Sequence, residues 1–151
     1  MNKQELKHKH RDRMVRIGIE AVEHAIAKDG VSVVTDYLEL IRQDDVKRIA
    51  EIVRKRNQFV KDVIRGIEKP RPYTKETCLL QAVEELLVLT LSEKYVSGMM
   101  LNAVLCPCWD SFHFVSHAEM RREMDYQNKV LHPKVEESFE QLRNAEKKLA
   151  A

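Results

Sequence analysis

Two cysteines and two histidines lie in one short stretch of this chain, C-P-C-W-D-S-F-H-F-V-S-H at 106–117. Thiolate and neutral imidazole groups bind zinc when they converge on one point at about 2.0–2.3 Å. The candidate zinc ligands are Cys106, Cys108, His113 and His117. The C-x-C spacer is shorter than the C-x2-C spacer usual in zinc sites. Ser116 is also predicted to cap a helix, which would place His117 inside that helix and His113 outside it.

The same stretch also fits a packing corner without metal. Free cysteine behaves as a small hydrophobic residue. In this interpretation, apolar side chains of the stretch fix a helix–helix turn onto the core; they are Cys106, Trp109, Phe112 and Phe114. We favour packing over zinc and expect no cofactor. A catalytic Cys–His pair would need a third group to orient the histidine, and no such group is identifiable.

Composition favours one all-α domain spanning 1–151. The 151 residues are 44% hydrophobic and 33% charged, with only 4 Gly and 4 Pro. So few turn-forming residues favour helices over a many-stranded sheet. The odd number of cysteines makes a poor disulfide framework, and the N-terminus lacks the apolar segment of a signal peptide. The longest apolar run, L-L-V-L-T-L at 86–91, is too short to cross a bilayer, so we expect a cytoplasmic protein without membrane contact.

Apolar periodicity and capping residues predict a bundle of five to seven helices. Val15, Ile19, Val22 and Ile26 share one face of a first helix at 3–28. A short helix follows, and Asp44 or Asp45 caps a third helix that ends near Gly66. Thr74 caps a fourth helix whose apolar residues occupy more than one side, which predicts a central, buried position.

The last helix is predicted to be long and to carry a partner-binding seam. It begins near residue 117, and its apolar residues recur at steps of three, four or seven. The predicted partner-binding residues are Met120, Met124, Leu131, Val135, Phe139 and Leu142. Pro133 is expected to kink or split this helix. A seam of this kind also makes a homodimer a reasonable hypothesis.

Two basic clusters give an alternative hypothesis of nucleic-acid binding. One lies within 3–16, and the other, at 54–75, has eight basic residues against two acidic ones and thus a net charge of +6. Its candidate contact residues are Arg54, Lys55, Arg56, Lys61, Arg65, Lys69 and Arg71. If both clusters lay on one side, they could follow a phosphate backbone. The whole chain carries only +2, and no aromatic residues alternate with the basic ones to stack on bases.

The leading functional hypothesis is a protein that acts by interaction. The chain has no glycine-rich nucleotide loop, no H-E-x-x-H and no G-x-S-x-G, so we do not expect an enzyme. A charged surface over helical faces is typical of a regulator, adaptor or inhibitor that binds a protein partner. Nucleic-acid binding and zinc binding remain the two alternatives.

Metal analysis of the untagged protein tests the packing interpretation of 106–117. We expect less than about a tenth of an equivalent of zinc and a melting temperature that does not change with chelator, because a structural zinc site would contribute folding free energy. About one equivalent of zinc, with a chelator-sensitive melting temperature, would instead establish the metal site.

Overall fold

The computed structural model describes residues 2–29, 34–72, 74–92 and 116–151. Within these ranges the chain forms helices and no strand, which confirms the all-α prediction. The helices are α1 (Lys3–Asp29), α2 (Thr35–Arg42), α3 (Val46–Ile64), α4 (Lys75–Leu91), α5 (His117–Tyr126) and α6 (His132–Ala150). A π-helical turn, Gln127–Leu131, joins α5 to α6, so the three segments form one long C-terminal helix.

Helix α4 lies at the centre of the bundle, as its sequence predicts. Leu86 and Leu87 are both fully buried, although neighbouring residues on a helix point about 100° apart. Leu86 belongs to a core cluster shared with α1, α2 and Leu131 of the C-terminal helix. Leu87 belongs to a second cluster with Leu40 of α2 and Ile49 of α3. Helices α1 and α3 therefore pack on different sides of α4.

The predicted face of α1 is confirmed. Val15 and Val22 are buried, and Ile19 and Ile26 pack against the same core cluster while partly exposed. This face meets both α4 and the C-terminal helix.

Two predicted N-terminal caps are also confirmed. The Asp45 carboxylate accepts a hydrogen bond from the Arg48 backbone N–H at 3.3 Å, which begins α3. The Thr74 hydroxyl accepts from the Thr77 N–H at 3.1 Å, and the Thr77 hydroxyl accepts from the Thr74 N–H at 2.9 Å. This reciprocal pair satisfies backbone donors that the first turn of α4 leaves without a helical partner.

Pro133 does not split the C-terminal helix. The π-helical turn ends two residues before it, and the His132 N–H donates to the Gln127 carbonyl, five residues back. Proline removes one backbone donor and its ring crowds the preceding turn. A wider π turn is a common way for a helix to absorb such a local fault. The chain thus stays helical from His117 to Ala150.

Gly66 ends α3 and turns the chain towards α4. Its φ of +78° lies in the left-handed region. The Gly66 N–H donates to the Val63 carbonyl at 3.1 Å, and the Ile67 N–H donates to the Asp62 carbonyl at 2.8 Å. These two bonds form a Schellman motif. The turn leaves Ile67 69% exposed.

Among the helices that the structure describes, none combines the length and the apolarity that crossing a bilayer requires.

Substitution of Gly66 tests this turn. A Cβ at this position would meet nothing within 4 Å, so Gly66→Ala should destabilise only through its backbone, by about 1 kcal/mol. Gly66→Asn is the matched control, because asparagine tolerates the left-handed region better than alanine. Urea unfolding should rank the stabilities as glycine, asparagine, alanine; equal values for all three would contradict the proposed backbone origin.

Candidate functional site

One flank of α3 carries a mainly apolar seam that the bundle covers only in part, since Val53 is half-buried against the second core cluster. Its residues within the helix alternate at steps of four and three, and they are Val46, Ala50, Val53, Asn57, Val60 and Ile64; Ile67 lies just beyond the turn that ends α3. Val46 is 52% exposed, Val60 40% and Ile64 79%. Alternating steps of four and three define the a and d positions of a heptad, the pattern by which one helix packs along another.

A row of basic side chains borders this seam. Lys47, Arg54 and Lys61 each follow a d position of the seam by one residue and are all exposed. They occupy the e positions of the same heptad, where flanking charges contact a paired helix. Arg65 lies one residue after Ile64 and extends the row towards the end of α3. The seam and this basic row are named here the α3 docking face.

A recess of about 270 Å³ opens at the C-terminal end of the α3 docking face. Phe59 and Val63 are half-buried at its inner side, with Val60 and Ile64 at its edge and Pro70 opposite. Small-molecule sites generally measure about 300–1,000 Å³, so this recess is better matched to one side chain of a docked protein.

Ion pairs to α4 hold the wall of the recess. The Arg71 guanidinium donates to both carboxylate oxygens of Glu84, at 2.6 and 3.0 Å. The same guanidinium lies 5.1 Å from the centre of the Phe59 ring. The hydrogen bonds that Arg71 donates to Glu84 raise the pKa of Arg71, and Glu84 itself is 6% exposed. Because a buried carboxylate is costly without a partner, this pair fixes the 69–72 segment against α4.

The basic residues predicted to bind nucleic acid have different surroundings in the structure. Arg56 is paired with Glu85, and Arg71 with Glu84, so both serve contacts within the chain. Arg71 is nevertheless exposed, and the other exposed members are Arg54, Lys55, Lys61, Arg65 and Lys69.

The N-terminal cluster at 3–16 does not extend the cluster at 54–75. It belongs to α1, and α1 and α3 both pack on α4 rather than closely on each other. Arg11 donates to the Ser92 carbonyl at 2.9 Å, and Arg13 donates to Ser138. The placement of both clusters on one side of the molecule, which a shared phosphate track requires, stays a prediction.

Most of the predicted partner-binding seam of the C-terminal helix is used inside the chain. Leu131 and Leu142 are buried, and Val135 and Phe139 pack against the core that α1 and α4 share. Met120 is partly exposed, and Met124 is 40% exposed. The periodicity correctly predicted a packing surface on the C-terminal helix, but the element that packs on it is α1 of the same chain.

Three of the four candidate zinc ligands, Cys106, Cys108 and His113, lie outside the described residues. His117 is exposed in the first turn of α5, where the Ser116 hydroxyl accepts from the Glu119 N–H at 3.2 Å. In the part of the chain that the structure describes, no three side chains of ligand type come together to hold a metal ion.

A serine–histidine pair that was not predicted from the sequence joins α1 to α6. Arg13 Nε donates to Ser138 Oγ at 2.8 Å, and His10 Nδ1 forms a second hydrogen bond with the same hydroxyl at 2.9 Å. From its position in the sequence, His10 belongs to the basic cluster at 3–16. Its spacing with Leu6, Met14 and Ile17, which share one buried face of α1, was the available signal for a core position.

This pair ties the two helices together. Ser138 is 2% exposed and His10 is 1% exposed, so both groups are buried where α1 meets α6. Burial, and to a smaller extent the Arg13 charge, lower the pKa of His10 to about 4, while a hydrogen bond with the Ser138 backbone acts in the opposite direction. His10 is therefore neutral at physiological pH.

Comparisons with protein-family models, with curated proteins and with solved structures found no match for this chain. Function is therefore argued from the geometry alone. The α3 docking face, with its exposed apolar seam, basic row and adjoining recess, is the strongest candidate on the described surface.

Protonation of His10 should make the fold less stable in acid. Its pKa is lowered from 6.5 in the unfolded chain to about 4 in the fold. Its contribution is complete above pH 6.5 and is lost as pH falls towards 4, because only the unfolded state takes up the proton in that window. At about pH 5 the loss should be about 2 kcal/mol relative to about pH 7.5.

Urea unfolding at both pH values measures this effect. His10→Gln should reduce the difference between the two pH values by that amount, whereas His117→Gln, at an exposed position, should keep the wild-type difference. An unchanged pH dependence in His10→Gln would show that His10 is not the group responsible.

Proposed function

We propose that the protein acts by binding a protein partner on the α3 docking face. The observation that carries this proposal is the 79% exposure of Ile64, which lines the recess at the end of α3, with Ile67 69% exposed three residues later in the chain. Single exposed apolar residues are common, but a contiguous apolar surface with a polar rim is typical of interaction sites. A role as a cytoplasmic regulator, adaptor or inhibitor is part of the same proposal.

The energy of such an interaction would come mainly from the apolar residues. Complete burial of one isoleucine side chain contributes roughly 1.5–3 kcal/mol. Exposed ion pairs contribute at most about 1 kcal/mol each and chiefly affect orientation and association rate. We therefore expect Ile64 and Ile67 to dominate affinity and the basic row to determine which partners are accepted.

A phosphate backbone is a poorer match to this face. It would be attracted by Lys61 and Arg65 but would leave the neighbouring apolar seam in water. The aromatic residue of the recess, Phe59, is half-buried with Arg71 over its ring, so it offers no open surface for base stacking. Nucleic-acid binding remains the second outcome of the experiment below.

Site-specific photo-crosslinking in the native cells tests this proposal. A benzophenone amino acid replaces Ile64 at the centre of the exposed seam, or Asn144 at an exposed control position on α6. The large apolar photoreactive side chain preserves the character of the seam. We expect a discrete protein adduct from position 64 that is absent from position 144 and persists after nuclease treatment.

The remaining outcomes would contradict the proposal. An adduct at position 64 that nuclease removes would support nucleic-acid binding. Equal yields from both positions would indicate contact without a specific surface, and no adduct at either position would mean that α3 has no bound partner in those cells.

A further inference from the structure

We propose that the α3 docking face receives an acidic amphipathic helix, packed alongside α3 in a two-stranded coiled-coil manner. This inference rests on the proposed function, because it names the kind of partner that the same face accepts. Three features of α3 carry it: the heptad spacing of the uncovered seam, the sign of the flanking charges and the poor match of the face to a second copy of the chain.

The spacing indicates a helix as the occupant. From Val46 to Ile64 the seam advances in steps of four and three over 19 residues, which is 18 residue-to-residue rises. At 1.5 Å per residue this is about 27 Å, or nearly three heptads of a facing helix. An extended peptide repeats its side chains every second residue and would match only occasional positions of this seam.

Asn57 would influence how the two helices align. It is exposed and occupies an a position between Val53 and Val60. A polar residue at one a position lowers the stability of a coiled coil but restricts its register, because other alignments would bury the amide without a partner. The recess beside Ile64 then gives the end of the docked helix a place for one apolar side chain.

The flanking charges indicate an acidic partner. Lys47, Arg54 and Lys61 lie at e positions on the solvent side of the seam. The two acidic residues of α3 are Glu51, at a b position beside Lys47 and Arg54, and Asp62, at an f position, so neither occupies an e or g position. Opposite charges at facing e and g positions favour a pair of helices, and like charges oppose it.

A second copy of this chain is disfavoured by the same charges. In an antiparallel pair of α3 helices, the basic e positions of one copy would face those of the other. In a parallel pair, they would face the g positions, which are Ile49, Arg56 and Val63. Neither arrangement supplies a carboxylate from a g or e position to the basic row.

Designed peptides of three heptads test the inference directly. Two peptides share leucine and isoleucine at a and d and differ only at e and g, with Glu in one and Lys in the other. Like charges keep each peptide from pairing with itself. Fluorescence anisotropy of the labelled peptides with the full chain should give at least about tenfold tighter binding for the Glu peptide, and added salt should weaken that preference. A third peptide, with the Glu sequence but its a and d residues scrambled, should not bind.

Charge reversal on α3 supplies the decisive variant. Lys47→Glu, Arg54→Glu and Lys61→Glu together should reverse the preference, so that the Lys peptide binds more tightly. The matched control applies the same change of charge on α6, with Arg143→Glu, Lys147→Glu and Lys148→Glu, and should retain the wild-type preference. All six side chains are exposed, and circular dichroism checks that both variants keep their helices.

The outcomes separate this inference from the proposed function. Equal binding of the two charged peptides, no binding, or no reversal in the α3 variant would overturn the acidic-helix partner, even where Ile64 still crosslinks to a protein. Conversely, peptide binding without any cellular crosslink would contradict the proposed function and leave the chemistry of the seam intact. A dimer that sedimentation detects in the wild type and not in the α3 variant would instead assign the face to a second copy.

Discussion

The burial of α4 on two sides is the constraint on which the arrangement of the bundle depends. Leu86 and Leu87 are adjacent and both fully buried, so helices must cover two directions around α4. Helix α1 and the C-terminal helix cover one side, α3 covers the other, and α2 contributes to both. Helix α3 has its main contacts with α4 and α2, so Ile49 is buried while the flank with Val60 and Ile64 stays open.

Paired polar groups fix the positions of the outer elements around this apolar centre. Arg71 binds Glu84 with both of its terminal nitrogens and so holds the connection after α3 against α4. On the other side of the bundle, Ser138 lies between His10 and Arg13 and aligns α6 with α1. Each buried group would be costly without its partner, so these contacts favour one alignment of helices that apolar packing alone would leave less defined.

Sequence patterns predicted the elements well, because helix formation depends on nearby residues. Asp45 and Thr74 begin helices as their side chains indicated, and the apolar periods gave the faces of α1 and α4. The patterns could not say which neighbour covers each face. The stripe that ends with Phe139 and Leu142 was assigned to a partner but packs within the chain, while the stripe of α3 is only half covered. Ion pairs such as Arg71 with Glu84 depend on tertiary placement, which no local pattern shows.

The basic row beside the open apolar seam of α3 opposes the self-association that such a seam would favour. An uncovered seam with Ile64 at its end would favour association between copies of the chain. Lys47, Arg54 and Lys61 oppose that association, because an antiparallel pair of such faces would place like charges opposite each other and a parallel pair would offer these cations no carboxylate. The same charges attract an acidic helix. In the proposed complex, the apolar seam provides the affinity and the basic row provides the selectivity. The charge that discourages self-association also favours an acidic partner.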